Sequence, residues 1–279
     1  MGGVPSPDPG LFGPDSVTWR VHGDPVLAVG GVRALLLQSL HPLAMAGVAQ
    51  HSGFRSDPWG RLQRTAEYVG QVSFGSTRDA QRAAARVRGI HRQLSGVEPE
   101  SGQSYSVDDP ELLLWVHCCE VDCFLTTTRR AGLGITDADA QRYVAEQVRA
   151  AALIGVPEGM APDSIEALAD YFTAIRPQLR VTAAARDAAR FVLLPPMPTW
   201  VRFLTPARPA WGGIAGLAFA LLPRWARRMY RLPGLPMTDP AASAAVRALR
   251  RSLLALPGSV REGPHAKGAR ERMARPVSA

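Results

Sequence analysis

VLAVGGVRALLLQSLHPLAMAGVAQ, residues Val26 to Gln50, carries apolar side chains at helical spacing on both sides of Pro42. Proline lacks a backbone donor and clashes with the carbonyl four residues back, so the spacing predicts one helix ending near His41 and another restarting there. The rest of the chain reads the same way. Ser56-Asp57-Pro58 supplies caps and a first-turn proline for a helix to about Phe74, and Ser76-Thr77 opens another that reaches Leu94 before Ser95-Gly96. Asp108-Asp109-Pro110 starts a fourth pattern bounded by Gly132 and Gly134. A fifth runs from Thr136-Asp137 to Ile154, a sixth begins at Ala161-Pro162-Asp163, and further helices follow from Thr182, Pro206 and Thr238. No strand pattern of convincing length emerges, and no repeat period. The expected fold class is all-α, one large multi-helix domain over residues 20–257. An irregular segment, 1–19, precedes it, and a basic tail, 258–279, with almost no large apolar residue, is expected to be disordered.

At 279 residues the chain can bury a substantial core. Its formal charge of +8 raises the question of a nucleic-acid partner. Lys267 is the only lysine, however, and the arginines are spread along the chain without interleaved aromatics, so no nucleic-acid partner is expected. Cys118, Cys119 and Cys123 share one helical pattern, which fits reduced thiols in a core rather than a disulfide framework. The N-terminus has neither a basic nor an apolar leader region, and a cytoplasmic location is expected. Trp211–Leu222, the most apolar segment, falls short of the roughly 20 residues that span a bilayer, leaving peripheral contact at most.

Polar chemistry is concentrated between His41 and His117. Four of the six histidines, His41, His51, His91 and His117, fall in this apolar helical part of the chain. Arg61, Arg64, Thr65 and Tyr68 line one stripe of the second helix after Pro42, and Arg88 and His91, three apart, share a face of the next. Such groups need partners in an apolar setting, and a histidine facing arginines can ligate a metal and neutralise an anionic cofactor. No Glu-x-x-His occurs between His41 and His117 and no His-Glu-x-x-His anywhere, and none of His41, His51, His91 and His117 opens a His-x-Asp or His-x-Glu motif. Haem asks for less: one axial histidine, apolar walls and arginines for the propionates.

The ordered set Leu35-Leu36-Leu37-Gln38, His41-Pro42, Gly47-Val48, His51-Ser52, Gly60-Arg61 through Arg64-Thr65, Phe74-Gly75-Ser76, Val87-Arg88, His91 and Leu113-Leu114-Trp115-Val116-His117 resembles the MpaB-like oxygenase family. That family includes the bacterial latex-clearing proteins and the fungal oxygenase of mycophenolic acid biosynthesis. The resemblance covers roughly residues 20–255. It implies an all-helical protein with one haem b held by a single proximal histidine in a pocket between core helices. It also implies an oxygenase that uses dioxygen on a hydrophobic substrate. By position, His91 is implied as the iron ligand, with Arg88 and Arg61 beside the cofactor and Arg61, Arg64 and Thr65 as the polar catalytic set. Arg64 stands where latex-clearing members have a lysine, and a guanidinium, always protonated, is a poor iron ligand and a good donor to oxygen or a propionate. The stretch Val26–Ser56 holds no Asp or Glu, so no counterpart of the rubber oxygenases' catalytic carboxylate is found there. Rubber is therefore not the expected substrate. His41, His51 and His117 are implied as supporting or structural.

The expectation is thus oxidation of an alkene or C–H bond by dioxygen in an apolar pocket. Two other readings use the same residues: a haem- or hydrophobe-binding protein without turnover, and an interaction protein that keeps the helices but not the cofactor.

Overall fold

The computed structural model describes residues 7–53 and 55–274. Helices occupy Val17–His22 (α1), Leu27–Gln38 (α2), Pro42–His51 (α3), Pro58–Phe74 (α4), Thr77–His91 (α5), Pro110–Arg130 (α6), Asp137–Ile154 (α7) and Ile165–Ile175 (α8). They continue with Ala183–Leu193 (α9), Thr199–Leu204 (α10), Ala207–Ala220 (α11), Arg224–Met229 (α12), Thr238–Leu254 (α13), Gly258–Arg261 (α14) and Pro264–Ala274 (α15). The all-α expectation holds. Local chemistry starts the helices where the sequence places the caps. Asp57 and Asp109 each accept from the first turn of a helix opened by proline, and Ser76 and Thr136 form reciprocal capping boxes with Asp79 and Asp139. One small feature departs from the reading: Ser95–Val97 (β1) pairs antiparallel with Ser104–Ser106 (β2), Gly96 opposite Tyr105. Three-residue strands are too short to show alternation, and this hairpin is tied to α3 by Tyr105 Oη donating to Gln50 Oε1 at 2.8 Å.

Pro42 acts as read. His41 caps α3 in an extended conformation with Pro42 in the first turn, and α2 and α3 diverge by 107°. No single helix among the described residues is long and apolar enough to cross a membrane. Instead α2 lies along α6, burying Leu36, Leu37 and Leu40 with Leu114, Trp115, Cys118 and Phe124. Each such side chain contributes about 1.5–3 kcal/mol of transfer free energy. The close approach depends on Gly30, where a Cβ would stand 3.2 Å from Phe124 Cδ1 and 3.3 Å from the Cys123 carbonyl. Cys118, Cys119 and Cys123 are buried free thiols, and burial pushes all three upward in pKa.

In the same layer Arg33 is 1% exposed. Its Nη1 lies 2.8 Å from Asp122 Oδ2, off the line of a good hydrogen bond, and its Nε donates to the Leu221 carbonyl at 3.0 Å. The guanidinium therefore joins α2, α6 and the end of α11. On the opposite side, residues 258–274 are helical where disorder was expected, and 275–279 lie outside the described residues. Helix α15 docks on α4, burying Ala266 and Ala269 against Phe74, while His265 Nε2 sits 2.9 Å from Glu67 Oε2 and Arg272 donates to the Phe74 and Asp8 carbonyls. Alanines, not large apolar residues, supply the contact, which is why composition alone misses it. The helical body likewise begins at Val17, slightly earlier than read.

Removing Arg33 strands a partly buried carboxylate, so Arg33→Leu is expected to lower unfolding free energy by about 3 kcal/mol in urea titration. The double variant Arg33→Leu/Asp122→Leu is expected to recover part of the loss. A double variant no better than the single one contradicts this account.

A candidate active site between α2, α4, α5 and α6

One apolar stripe of α6, Leu113, Val116, Val121 and Phe124, is interrupted by His117 and Glu120, and this face borders a cavity of about 640 Å³. That size falls in the roughly 300–1,000 Å³ range of small-molecule pockets. Helix α4 contributes Arg61, Thr65 and Tyr68 from the stripe read in the sequence, and α5 contributes Val87, Ile90 and His91. Leu35, Gln38 and Ser39 of α2 close the inner wall. The mouth lies where Arg64 is exposed and paired with Asp57 at 3.1 Å, and where Trp59 meets Trp211 edge-on at 4.9 Å. At the far end His22 is enclosed, its Nδ1 2.6 Å from Ser73 Oγ and its Nε2 2.9 Å from Tyr143 Oη.

The structure thus gathers Arg61, Arg64, Thr65 and His91 around one space. Arg61 Nη1 donates to Ser52 Oγ at 3.1 Å, and no carboxylate pairs with it among the described residues. Burial and the neighbouring Arg64 lower its pKa, the mark of a cation whose surroundings lack an anion. Thr65 Oγ1 donates back to the Arg61 carbonyl at 3.1 Å. His91 is half-buried, burial lowers its pKa against the attraction of Asp108, and its Nδ1 is buried with no hydrogen-bond partner among the described residues. Arg88 does not join them. It is absent from the cavity lining and donates to the Leu153 carbonyl, capping the end of α7, although its charge reaches the Tyr68 phenol on the lining.

The other histidines divide by their partners. His41 caps α3 and packs its ring against Trp115, while His51 Nε2 lies 3.1 Å from the Ser95 carbonyl at the cavity rim. His22, overlooked in the sequence, is held neutral by burial, its pKa pushed down to about 3. His117 is also held neutral, pushed down to about 4, and its ring lines the cavity without a hydrogen-bond partner among the described residues.

Glu120 is the residue the sequence reading missed. Its signal was a carboxylate one turn after His117 on an otherwise apolar stripe. Burial pushes its pKa up to about 7, with only Gln38 in hydrogen-bond contact to oppose the shift. No ion pair involves it among the described residues. No group of three or more potential ligands that could hold a metal by themselves occurs among the described residues either.

Glu120's folded-state pKa is raised above 4.5, so between 4.5 and about 7 the folded chain keeps a proton that the unfolded chain has lost. Stability therefore falls as pH rises through that window and stays reduced above it. Glu120→Gln is expected to exceed the parent in unfolding free energy by about 3 kcal/mol at pH 8 and to match it near pH 4. Urea titration at both pH values checks this, and a difference independent of pH contradicts it.

Comparison with known proteins places this geometry. Two uncharacterized proteins, from Mycobacterium bovis and Mycobacterium tuberculosis, are each 29% identical over 166 residues. The match covers 60% of this chain and 62% of each relative, so the chain spans less than two thirds of the length of these curated relatives. No solved structure matches. Residues 19–255 match the family described as ER-bound oxygenase mpaB/B'/rubber oxygenase, catalytic domain, and the chain belongs to that oxygenase family.

Proposed function

We propose that the protein is a haem-dependent oxygenase that uses dioxygen to oxidise an alkene or C–H bond of a hydrophobic small molecule. The observation that carries the reading is His91 on the wall of a large, mostly apolar cavity, a half-buried imidazole whose Nδ1 has no hydrogen-bond partner among the described residues. Arg61, a buried cation without a carboxylate, suits a haem propionate, and the apolar walls suit a macrocycle. These features fit haem b. His91 would hold its iron, and Arg61 would neutralise a propionate.

When bound, haem supplies the iron centre at which dioxygen is activated. The chain's own residues do the rest. His91, neutral through burial, offers a lone pair at physiological pH. Arg61 and Thr65 stand on one stripe as donors, though in this structure Thr65 spends its hydroxyl on the helix backbone. Arg64, exposed at the rim and paired with Asp57, serves the mouth rather than the interior. Leu113, Val116, Val121 and Phe124 exclude water around the substrate.

Haemin added to the purified chain is expected to give a Soret band, and His91→Ala is expected to weaken haem binding at least about tenfold. Circular dichroism on the same variant confirms that the helices persist. A chain that never acquires a Soret band, or His91→Ala with undiminished haem affinity, overturns the reading. Haem binding without dioxygen consumption across hydrophobic substrates would leave a binding protein instead.

A further inference from the structure

The cavity is polar at two separate levels. Arg61 and His91 define the outer one. Helices α4 and α5 run antiparallel, and the Val107 amide donating to the Leu94 carbonyl at 2.8 Å brings the first turns of α6 to the same level. Tyr68 lies seven residues beyond Arg61 on α4, and Glu120 seven beyond Leu113 on α6. At 1.5 Å per residue both lie about 10 Å deeper. Tyr68 and Glu120 both line the cavity, and the Glu120 charge raises the Tyr68 phenol further, after burial, against the opposing pull of Arg88, so the two lie within electrostatic reach of one another at this inner level.

The inner level is under-partnered. Neither the Tyr68 hydroxyl nor the His117 ring has a hydrogen-bond partner among the described residues, and Glu120 has only Gln38, whose amide also donates to the Val116 carbonyl at 3.2 Å. A pure hydrocarbon filling this space would leave a carboxyl, a phenol and an imidazole unsatisfied at about 1–3 kcal/mol each. A carboxylate end would meet Glu120 as a like charge. An ammonium end would have to be stripped of water for one partly neutral partner. A hydroxyl fits, because it donates to a carboxylate oxygen and accepts from a phenol or imidazole N–H at the same time.

Extending the oxygenase reading, on which this rests for the role of the bound molecule as substrate, we propose that Glu120, Tyr68 and His117 form an alcohol-recognition site at the inner end of the cavity. The substrate class is then an apolar molecule with a terminal hydroxyl, held by that hydroxyl with its carbon body lying toward Arg61 and His91. Glu120 and Tyr68 here act as specificity residues; no bond to them is made or broken. The titratable groups that sense the Glu120 charge are Tyr68 from α4, Tyr143 from α7 and Cys123 from α6 itself, and His22 and His117 share the cavity lining with it.

The test compares 1-decanol with its methyl ether, which keeps the chain but loses the donor, by calorimetric titration of the full chain at pH 8 with and without added haemin. The alcohol is expected to bind at least about tenfold more tightly than the ether. Glu120→Leu is expected to reduce that preference below about threefold while leaving ether affinity within about twofold, and Glu120→Gln, which still accepts a hydrogen bond, to keep an intermediate preference. Equal affinities in the parent, no measurable alcohol binding, or an undiminished preference in folded Glu120→Leu each overturn the proposal. Failure of haem binding with the alcohol preference intact would sink the oxygenase reading and leave this site standing. A haem-loaded chain without the preference would do the reverse.

Discussion

The contact of α2 with α6 is what the remaining architecture is built around. Its apolar seam excludes water, yet Arg33 is buried in the same layer and held by Asp122 and the Leu221 carbonyl. A charge in that position is tolerated only while all its partners stay in place, so it fixes where α11 ends relative to α2 and α6. With α2 fixed, the chain bends by 107° at His41-Pro42 into α3. Residues of α2, α3, α4, α5 and α6 then line the cavity together.

Within the cavity the polar groups differ by what already satisfies them. His22 is closed off on both ring nitrogens, His41 caps a helix, and Arg88 is taken up by α7. His91, Arg61, His117, Tyr68 and Glu120 retain unmet hydrogen-bonding or charge requirements. That division, rather than proximity alone, separates groups that hold the fold from groups that await a ligand. It also accounts for the direction of each shift: burial keeps the histidines neutral and Glu120 largely protonated below neutral pH, so these groups do little to offset the positive charge of Arg61.

Most of the helical frame was legible in the sequence because caps and prolines act locally. Asp57-Pro58, Ser76-Thr77, Asp109-Pro110 and Thr136-Asp137 each mark a boundary that the structure shares to within a residue or two. The stripe Arg61, Thr65 and Tyr68 was legible for the same reason, since helical spacing fixes which side chains share a face. What was not legible depends on distant partners. Nothing in the neighbourhood of Arg88 announces that it caps α7, and nothing near Ala266 and Ala269 announces a docking surface on α4. Glu120 was hidden by the same limit, because an acidic residue in a helix is ordinarily solvated and only its tertiary setting, with Gln38 of α2 beside it on the cavity lining, desolvates this carboxyl.

Helix α4 has a second face, and it is covered by the end of the chain. Gly70 lets the His265 ring lie so close that any Cβ would stand 2.4 Å from its Cδ2, and Arg272 ties Phe74 to Asp8. The wall of the cavity is therefore braced by residues roughly two hundred positions later in the chain. During synthesis, α4 emerges about two hundred residues before α15 and its outer side stays bare until that helix has been made. One wall of the cavity is thus encoded well before the helix that braces it.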